Sequence, residues 1–245
     1  MPDVLTLGVR PGLLEYSETE RGLLLSGRRI YFPTLRYADL FRNLGIPTYP
    51  GWNDYNCLGD KIRQTQLFQA LSIPHPRTTV YVGTRQISRI ATDFSYPFIA
   101  KIPWKSSRGH GVFLIKSGDD LEAYLAGVRT AYIQEYLPSR RDIRVVVIAG
   151  RKIHAYWREA GEETFLSNLS QGGRICSDEV PAEAVELAVS TAKKCGFHEV
   201  GLDMIRFEGR YYVIEANMKF GTLGLEQAGI SLDEERARMI REGLI

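Results

Sequence analysis

Residues 201–224 read GLDMIRFEGRYYVIEANMKFGTLG, and this stretch constrains the fold more than any other part of the chain. Two apolar runs, 202–207 and 211–216, flank Glu208-Gly209-Arg210, a pattern that predicts a β-hairpin with a three-residue loop. With Phe207 opposite Tyr211, counting back sets Asp203 against Glu215. Asn217, two residues further on, shares the Glu215 face. Directly paired residues hold their Cβ atoms about 4.5–5.5 Å apart, so two carboxylates and an amide oxygen converge on one spot. Two carboxylates that close repel unless one is protonated or a cation lies between them. A set of oxygen donors of this kind suits a hard ion such as Mg2+. The competing reading is the exposed acidic face of an ordinary hairpin, and a one-residue slip of register separates the two.

The chain has 245 residues, 44% hydrophobic and 24% charged, enough for one large domain or two to three lobes with substantial cores. Its net charge of +2 gives no footing for a nucleic-acid or membrane partner. Cys57, Cys176 and Cys195 lack CxxC spacing and are predicted to be reduced thiols of a cytoplasmic protein. The first residues lack the basic start and apolar run of a signal peptide, and no window approaches the roughly 18 apolar residues of a membrane span.

In chain order, 4–9, 23–25 and 29–32 read as short strands, 37–44 as a helix ended by Gly45 and Pro47, and 50–54 as a turn. Asp60 caps a helix to about Leu71, with Ile62, Leu67 and Leu71 on its expected buried side. Strands follow at 78–82, 98–102 and 112–115, then a short helix at 119–125, then strands at 131–136, 143–148 and 152–157. A helix over 181–195 places Ala184, Leu187, Ala188, Thr191 and Ala192 inward and ends at Gly196. The hairpin and a last helix near 232–242 complete the order. Helix, antiparallel strands, helix and hairpin argue for an α+β fold with antiparallel sheets, not a doubly wound parallel one. Neither G-x-x-x-x-G-K-[ST] nor a strand-borne G-x-G-x-x-G occurs.

Several stretches carry chemistry, and each has a bland reading beside the sharp one. Lys101 lies on an apolar strand before KSSRGHG (105–111), whose backbone and hydroxyls would donate to a polyanion. By itself that lysine reads as a solvated rim residue. Gln134-Glu135-Tyr136-Leu137 ends a strand where free backbone groups would meet a base edge. Arg144 in Asp142-Ile143-Arg144, and Arg158 at a strand end, are either surface residues or bidentate phosphate ligands. Ser167-Asn168 before Gly172-Gly173 reads equally as a turn.

Taken in order, Lys61, Lys101, QEYL, D-I-R, Ser-Asn with Gly-Gly and D…E-x-N resemble the ATP-grasp superfamily. Within it they are most similar to the RimK-type carboxylate–amine ligases, over two thirds of the chain. The densest matches are YIQEYLPSRRDIRVVVIAGRKIHAYWRE, FLSNLSQGG and VGLDMIRFEGRYYVIEAN. The resemblance implies an ATP-grasp fold: a shortened N-terminal segment over 1–59 and two α+β lobes, 60–135 and 136–245, gripping ATP. It implies that Lys101, with Lys61 as helper, holds the α- and β-phosphates. Ser107, Gly109 and Gly111 would belong to a loop closing over the triphosphate. Glu135 and Tyr136 would meet the adenine through their backbone, Asp142 would sit near the ribose, and Ser167 would help hold the nucleotide. Arg158 and Asn168 would face the phosphates and reacting centre, and Arg144 the acid or its acyl phosphate. Asp203, Glu215 and Asn217 match the family's Mg2+ ligands, for one ion or two, with Mn2+ as a substitute.

The implied reaction joins a small-molecule or peptide carboxylate to an amine, such as an amino acid, through an acyl phosphate. An ATP-grasp kinase that stops at phosphoryl transfer and a module that only binds ATP are the alternatives. Three departures concern the substrate: the short segment before Asp60, which leaves part of the substrate wall either missing or supplied by another subunit of a homo-oligomer; Leu166 in place of an arginine; and Met218-Lys219-Phe220 after Asn217, with Lys219 as a replacement charge. On this reading Asp203→Asn or Glu215→Gln would remove metal-dependent turnover at no cost to the fold.

Overall fold

The computed structural model describes residues 4–104, 111–161, 173–176 and 178–245. Ser107, Gly109, Leu166, Ser167 and Asn168 lie outside the described residues.

The N-terminal segment departs most from expectation. Residues 4–9 form no strand, and 23–25 belong to helix α1 (Glu18–Ser26). The reason is a capping box: Ser17 Oγ accepts from the Glu20 amide at 3.3 Å, and the Glu20 carboxylate accepts from the Ser17 amide at 2.8 Å. Strand β1 (Ile30–Tyr31) pairs in parallel with β2 (Thr48–Tyr49) across helix α2 (Leu35–Asn43). The expected turn over 50–54 stops at Gly51, where helix α3 (Trp52–Cys57) begins.

Helix α4 (Lys61–Ala70) is capped as expected, the Asp60 carboxylate accepting from the Arg63 amide at 3.0 Å. Its buried face is wider than expected: Leu67 and Leu71 pack against the core, but polar residues are buried more deeply than they are. Lys61, Gln64, Thr65 and Phe68 are buried, while Ile62, Leu67 and Leu71 are half-buried. The helix turns a polar stripe inward because it faces a sheet edge and a charged cleft.

The first sheet is built from β3 (Thr78–Val82), then short helices α5 (Thr84–Ile87) and α6 (Ile90–Asp93), β4 (Phe98–Lys101), β5 (Val112–Ile115), helix α7 (Gly118–Ala126) and β6 (Thr130–Glu135). Its strands run β3-β6-β4-β5, all antiparallel. The second comprises β7 (Arg141–Ile148), β8 (Arg151–Glu159), β9 (Arg174–Cys176), helix α8 (Ala182–Cys195), β10 (Glu199–Phe207) and β11 (Arg210–Asn217). Its strand order is β11-β10-β7-β8-β9, again antiparallel. Helices α9 (Leu223–Gln227) and α10 (Leu232–Arg241) close the chain.

Alternation along the strands divides each sheet into a core face and a cleft face. In the second sheet Ile143, Val145, Val147, Val200, Leu202 and Met204 pack against Ala184, Ala188 and Ala192 of α8. Their neighbours Asp142, Arg144 and Asp203 therefore point the other way. In the first sheet Phe98 and Ala100 join the core, which leaves Ile99 and Lys101 on the cleft side.

The hairpin corrects one expectation and keeps another. Its loop has two residues, not three: Glu208 and Gly209, at φ 48° and 78°, take the left-handed pair of a tight hairpin turn, and Phe207 pairs with Arg210. That register alone would set Asp203 against Ile214. A β-bulge between Met204↔Val213 and Asp203↔Glu215 inserts Ile214 and restores the carboxylate pair.

Among the described residues no helix is long and apolar enough to cross a membrane. The N-terminal segment is fastened to β10 by Asp54, a buried residue of α3 whose carboxylate accepts from the amides of His198 at 3.0 Å and Glu199 at 2.9 Å. Burial pushes the Asp54 carboxyl up to about 6, against those hydrogen bonds. A folded-state value above the unfolded one means that the folded chain binds this proton more tightly. The contribution is therefore complete below about pH 4 and is lost as pH rises through about 6. Asp54→Asn, which keeps acceptors for both amides, is expected to flatten this part of the stability-against-pH curve in chemical denaturation. Asp54→Ala is expected to cost about 1–3 kcal/mol by leaving the buried Glu199 amide and the half-buried His198 amide without their acceptor.

Candidate functional site

Register places one row of side chains across four strands. Tyr156 of β8 pairs with Arg144 of β7, Arg144 with Asp203 of β10, and Asp203 with Glu215 of β11. In the next row of β7 and β8, Asp142 pairs with Arg158. Two arginines and two aspartates are thus brought together at the cleft face, each 4–6% exposed.

Their hydrogen bonds form a chain. Arg158 donates to Asp142 through Nε at 2.7 Å and through a terminal nitrogen at 2.5 Å, and reaches Asp203 Oδ1 at 2.9 Å. Arg144 grips the same Asp203 with two prongs, Nε to Oδ1 and a terminal nitrogen to Oδ2 at 2.8 Å. Asn217 Nδ2 adds a bond to Oδ2 at 3.0 Å. Four donors therefore fill the roughly four acceptor positions of one carboxylate. Burial works to raise the Asp203 carboxyl, but the Arg144 and Arg158 charges and hydrogen bonds outweigh it and hold the group below the usual carboxylate range. For the Arg158 guanidinium, burial opposes the charge, and Asp203 and Asp142 outweigh it.

Two lysines approach from the other side. Lys61 Nζ lies 2.9 Å from Glu215 Oε1, the lysine buried and the carboxylate half-buried. Lys101, 7% exposed, has its Nζ 5.8 Å from the centre of the Tyr132 ring. Burial pushes the Lys101 ammonium down to about 8; Lys61 adds to the effect, and Glu215 and Asp203 oppose it. The sequence left open whether Lys101 is a solvated rim residue, and here it is an interior amine aimed into a cleft.

That cleft has an empty volume of about 760 Å³, solvent mouth included. Of the expected set it is lined by Lys101, Glu135, Tyr136, Asp142, Asp203 and Glu215, with Gln134, Ser139 and Arg141 as further polar residues. The Glu135 amide is taken by the Arg77 carbonyl at 2.9 Å. Asp142 gives both carboxylate oxygens to Arg158, so its part at the cleft wall is to hold that guanidinium. Gly111 sits at φ 82° with the Ile102 side chain 3.0 Å from where a Cβ would lie, a position that excludes larger residues. Lys219 is exposed.

Six apolar wall residues, Pro76, Ile99, Val112, Leu137, Ile205 and Ile214, were not among the expected site residues. Ile99 and Ile205 were within reach, being two positions from Lys101 and Asp203 and so on the same faces. Ile214 was not, because only the bulge brings it to the Glu215 side.

Among the described residues no three His, Cys, Asp or Glu side chains cluster, so an ion here would rest on two carboxylates and Asn217. Their donor chemistry fits a hard divalent ion. Glu215 meets the cleft with Lys61 as its cation. Asp203 already carries four donors, and Asn217 presents nitrogen to it; half a turn of that amide would present oxygen instead.

With this geometry in view, the family description of the RimK-like ATP-grasp domain matches residues 58–240. A coenzyme gamma-F420-2:alpha-L-glutamate ligase of Methanococcus maripaludis is 27% identical over 191 residues, covering 74% of this chain and 66% of its own. The chain spans 58–66% of the length of the first curated relatives it matches. A D-alanine–D-alanine ligase from Bacillus anthracis superposes with a TM-score of 0.67 at 18% identity, over 83% of this chain and 73% of its own. The ATP-grasp ligase PsnB, complexed with a phosphomimetic variant of its minimal precursor, Mg and ADP, gives 0.64 at 20% identity, over 86% and 66%. These likenesses give the fold: ATP-grasp, with antiparallel sheets.

Two outcomes follow from the charge arrangement. Asp203→Ala is expected to cost about 3–5 kcal/mol in denaturant melts, because two buried guanidiniums lose their shared anion. Asp203→Asn is also expected to lower the melting temperature, contrary to a role confined to metal binding. Separately, the Lys101 ammonium prevails only below about pH 8, so if Lys101 holds a nucleotide phosphate, as the resemblance implies, calorimetric affinity for ADP is expected to fall as pH rises through that value. Lys101→Ala should weaken binding about tenfold or more and remove that pH dependence.

Proposed function

Because the chain belongs to the RimK-like ATP-grasp family, we propose that it is an ATP- and Mg2+-dependent ligase joining a carboxylate to an amine through an acyl phosphate. One observation carries the reading: Lys101 from one sheet, and Asp203 and Glu215 from the other, line a single cleft that also holds an apolar group, Ile99, Val112, Ile205 and Ile214. Residues 60–135 and 136–245 act as the two lobes of the grasp.

In this reading the base lies between Ile99, Val112, Ile205 and Ile214, with its edge against the backbone of Glu135 and Tyr136. Lys101 and Lys61 hold the phosphates, and Ser107, Gly109 and Gly111 close over them. When Mg2+ or Mn2+ is bound by Asp203, Glu215 and Asn217, it neutralises charge on the phosphate oxygens. A carboxylate oxygen of the acid attacks the γ-phosphorus, the bond to the bridging oxygen breaks, and ADP leaves with that electron pair. The amine then attacks the acyl carbon, the carbon–oxygen bond breaks, phosphate departs and the amine proton is released. Arg144 and Arg158 are held in place before substrate arrives, by Asp203 and Asp142. Preorganised cations of this kind stabilise charge as it develops on the acyl phosphate without reorganising at that moment. Ser167 would help hold the nucleotide and Asn168 would face the reacting group, as the resemblance implies.

The relative from Methanococcus maripaludis is by name an alpha-L-glutamate ligase, which makes L-glutamate the first amine to try. The PsnB precursor makes a peptide carboxylate a fitting acid. Phosphate release from Mg-ATP is expected only when an acid and an amine are both present, with Glu215→Gln slower by about tenfold to hundredfold. Phosphate transfer to the acid without an amine requirement would mean a kinase. ADP binding without turnover across a broad panel would overturn the enzymatic reading.

A further inference from the structure

Strand β11 is the edge of its sheet, and its backbone beside the cleft is met by a side chain. Gln64 of α4, 3% exposed, donates through Nε2 to the Ala216 carbonyl at 2.8 Å and to the Cys57 carbonyl at 2.9 Å. Its Oε1 accepts from the Ala216 amide at 3.1 Å. One amide group thus pairs with both polar groups of one residue, as a neighbouring strand would.

Ala216 stands between Glu215 and Asn217. Its N–H belongs to the peptide plane shared with Glu215, and its C=O to the plane shared with Asn217. Each plane is rigid, so fixing both fixes the direction in which the two flanking side chains leave the strand. The need for such a fixture is local. The bulge at Ile214 interrupts the ladder one residue before Glu215, and a bulged edge strand has fewer backbone bonds holding its register. From the same helix, one turn earlier, Lys61 meets the Glu215 carboxylate itself.

We propose that Gln64 is a positioning residue for the divalent ion: by pairing with Ala216 across the edge of β11 it aims Glu215 and Asn217 at the ion. The inference rests on the reading that Asp203, Glu215 and Asn217 hold that ion. Gln64 touches neither ion nor nucleotide and acts only through the β11 backbone. The Ala216 side chain, 2% exposed and in the core, leaves the backbone as the route of coupling.

The test is Mn2+ binding followed by electron paramagnetic resonance, with saturating ADP, on the full chain and on Gln64→Leu, Gln64→Glu and Glu215→Gln. Gln64→Leu is expected to stay folded by circular dichroism and to bind Mn2+ about tenfold to hundredfold more weakly. Its affinity for ADP without metal should be unchanged. Gln64→Glu keeps the acceptor for the Ala216 amide and loses both donors, so an intermediate loss is expected. Unchanged Mn2+ affinity in folded Gln64→Leu, with weakened affinity in Glu215→Gln, would overturn the positioning role alone. Unchanged affinity in Glu215→Gln would overturn the ion site itself. Failure of both Gln64 variants to fold would assign Gln64 to stability and overturn the proposal.

Discussion

Two guanidiniums and two carboxylates buried side by side set the terms for the rest of the molecule. An ion taken out of water costs several kcal/mol unless partners surround it. Arg144, Arg158, Asp142 and Asp203 surround one another, with equal numbers of each sign and two-pronged contacts. The arrangement exists only because β7, β8 and β10 hold their register, and that register is enforced by the apolar residues alternating with these charges on the opposite face. Core and site are two sides of the same strands. A change that slips one strand by a residue would bury charge against α8 and turn the core outward.

Helix α4 joins the two sheets. Its first amide donates to the Pro103 carbonyl at 3.0 Å, Thr65 shares a 2.6 Å hydrogen bond with Tyr132 of β6, and Lys61 and Gln64 reach β11. A helix with three polar residues on its buried face runs against local patterning. Such conflicts between pattern and burial gather where a protein binds something. The same helix carries Phe68 into the main core, so its placement is set by ordinary packing at one end and by polar contacts at the other.

Much of this was legible in the chain. The inward face of α8 follows a 3.6-residue period and stands as read, and Gly196 ends it in the left-handed conformation. The pairing of Asp203 with Glu215 also stands, but two local features cancel to produce it: the hairpin loop is one residue shorter than its composition suggested, and the bulge adds one residue back. Nothing in a single sequence marks Ile214 as the extra residue, since an isoleucine fits either face of a strand. Helix α1 was within reach through Ser17 and Glu20 but was masked by the apolar run at 23–25. The buried polar stripe of α4 was not, because hydrophobic periodicity identifies a helix by the residues it expects to hide. Whether Lys101 faces water depends on what lies across the cleft, which is tertiary information.

The bulge has a consequence for what the cleft accepts. It makes Ile214 and Glu215, neighbours in the chain, line the same wall, one apolar and the other anionic. The oily and ionic halves of the cavity are therefore joined by a single peptide bond. Exchanging side chains alters how well each half grips but not the spacing between them. β11 works as a ruler, and a guest with a flat apolar end and a charged end is measured against a fixed length of backbone.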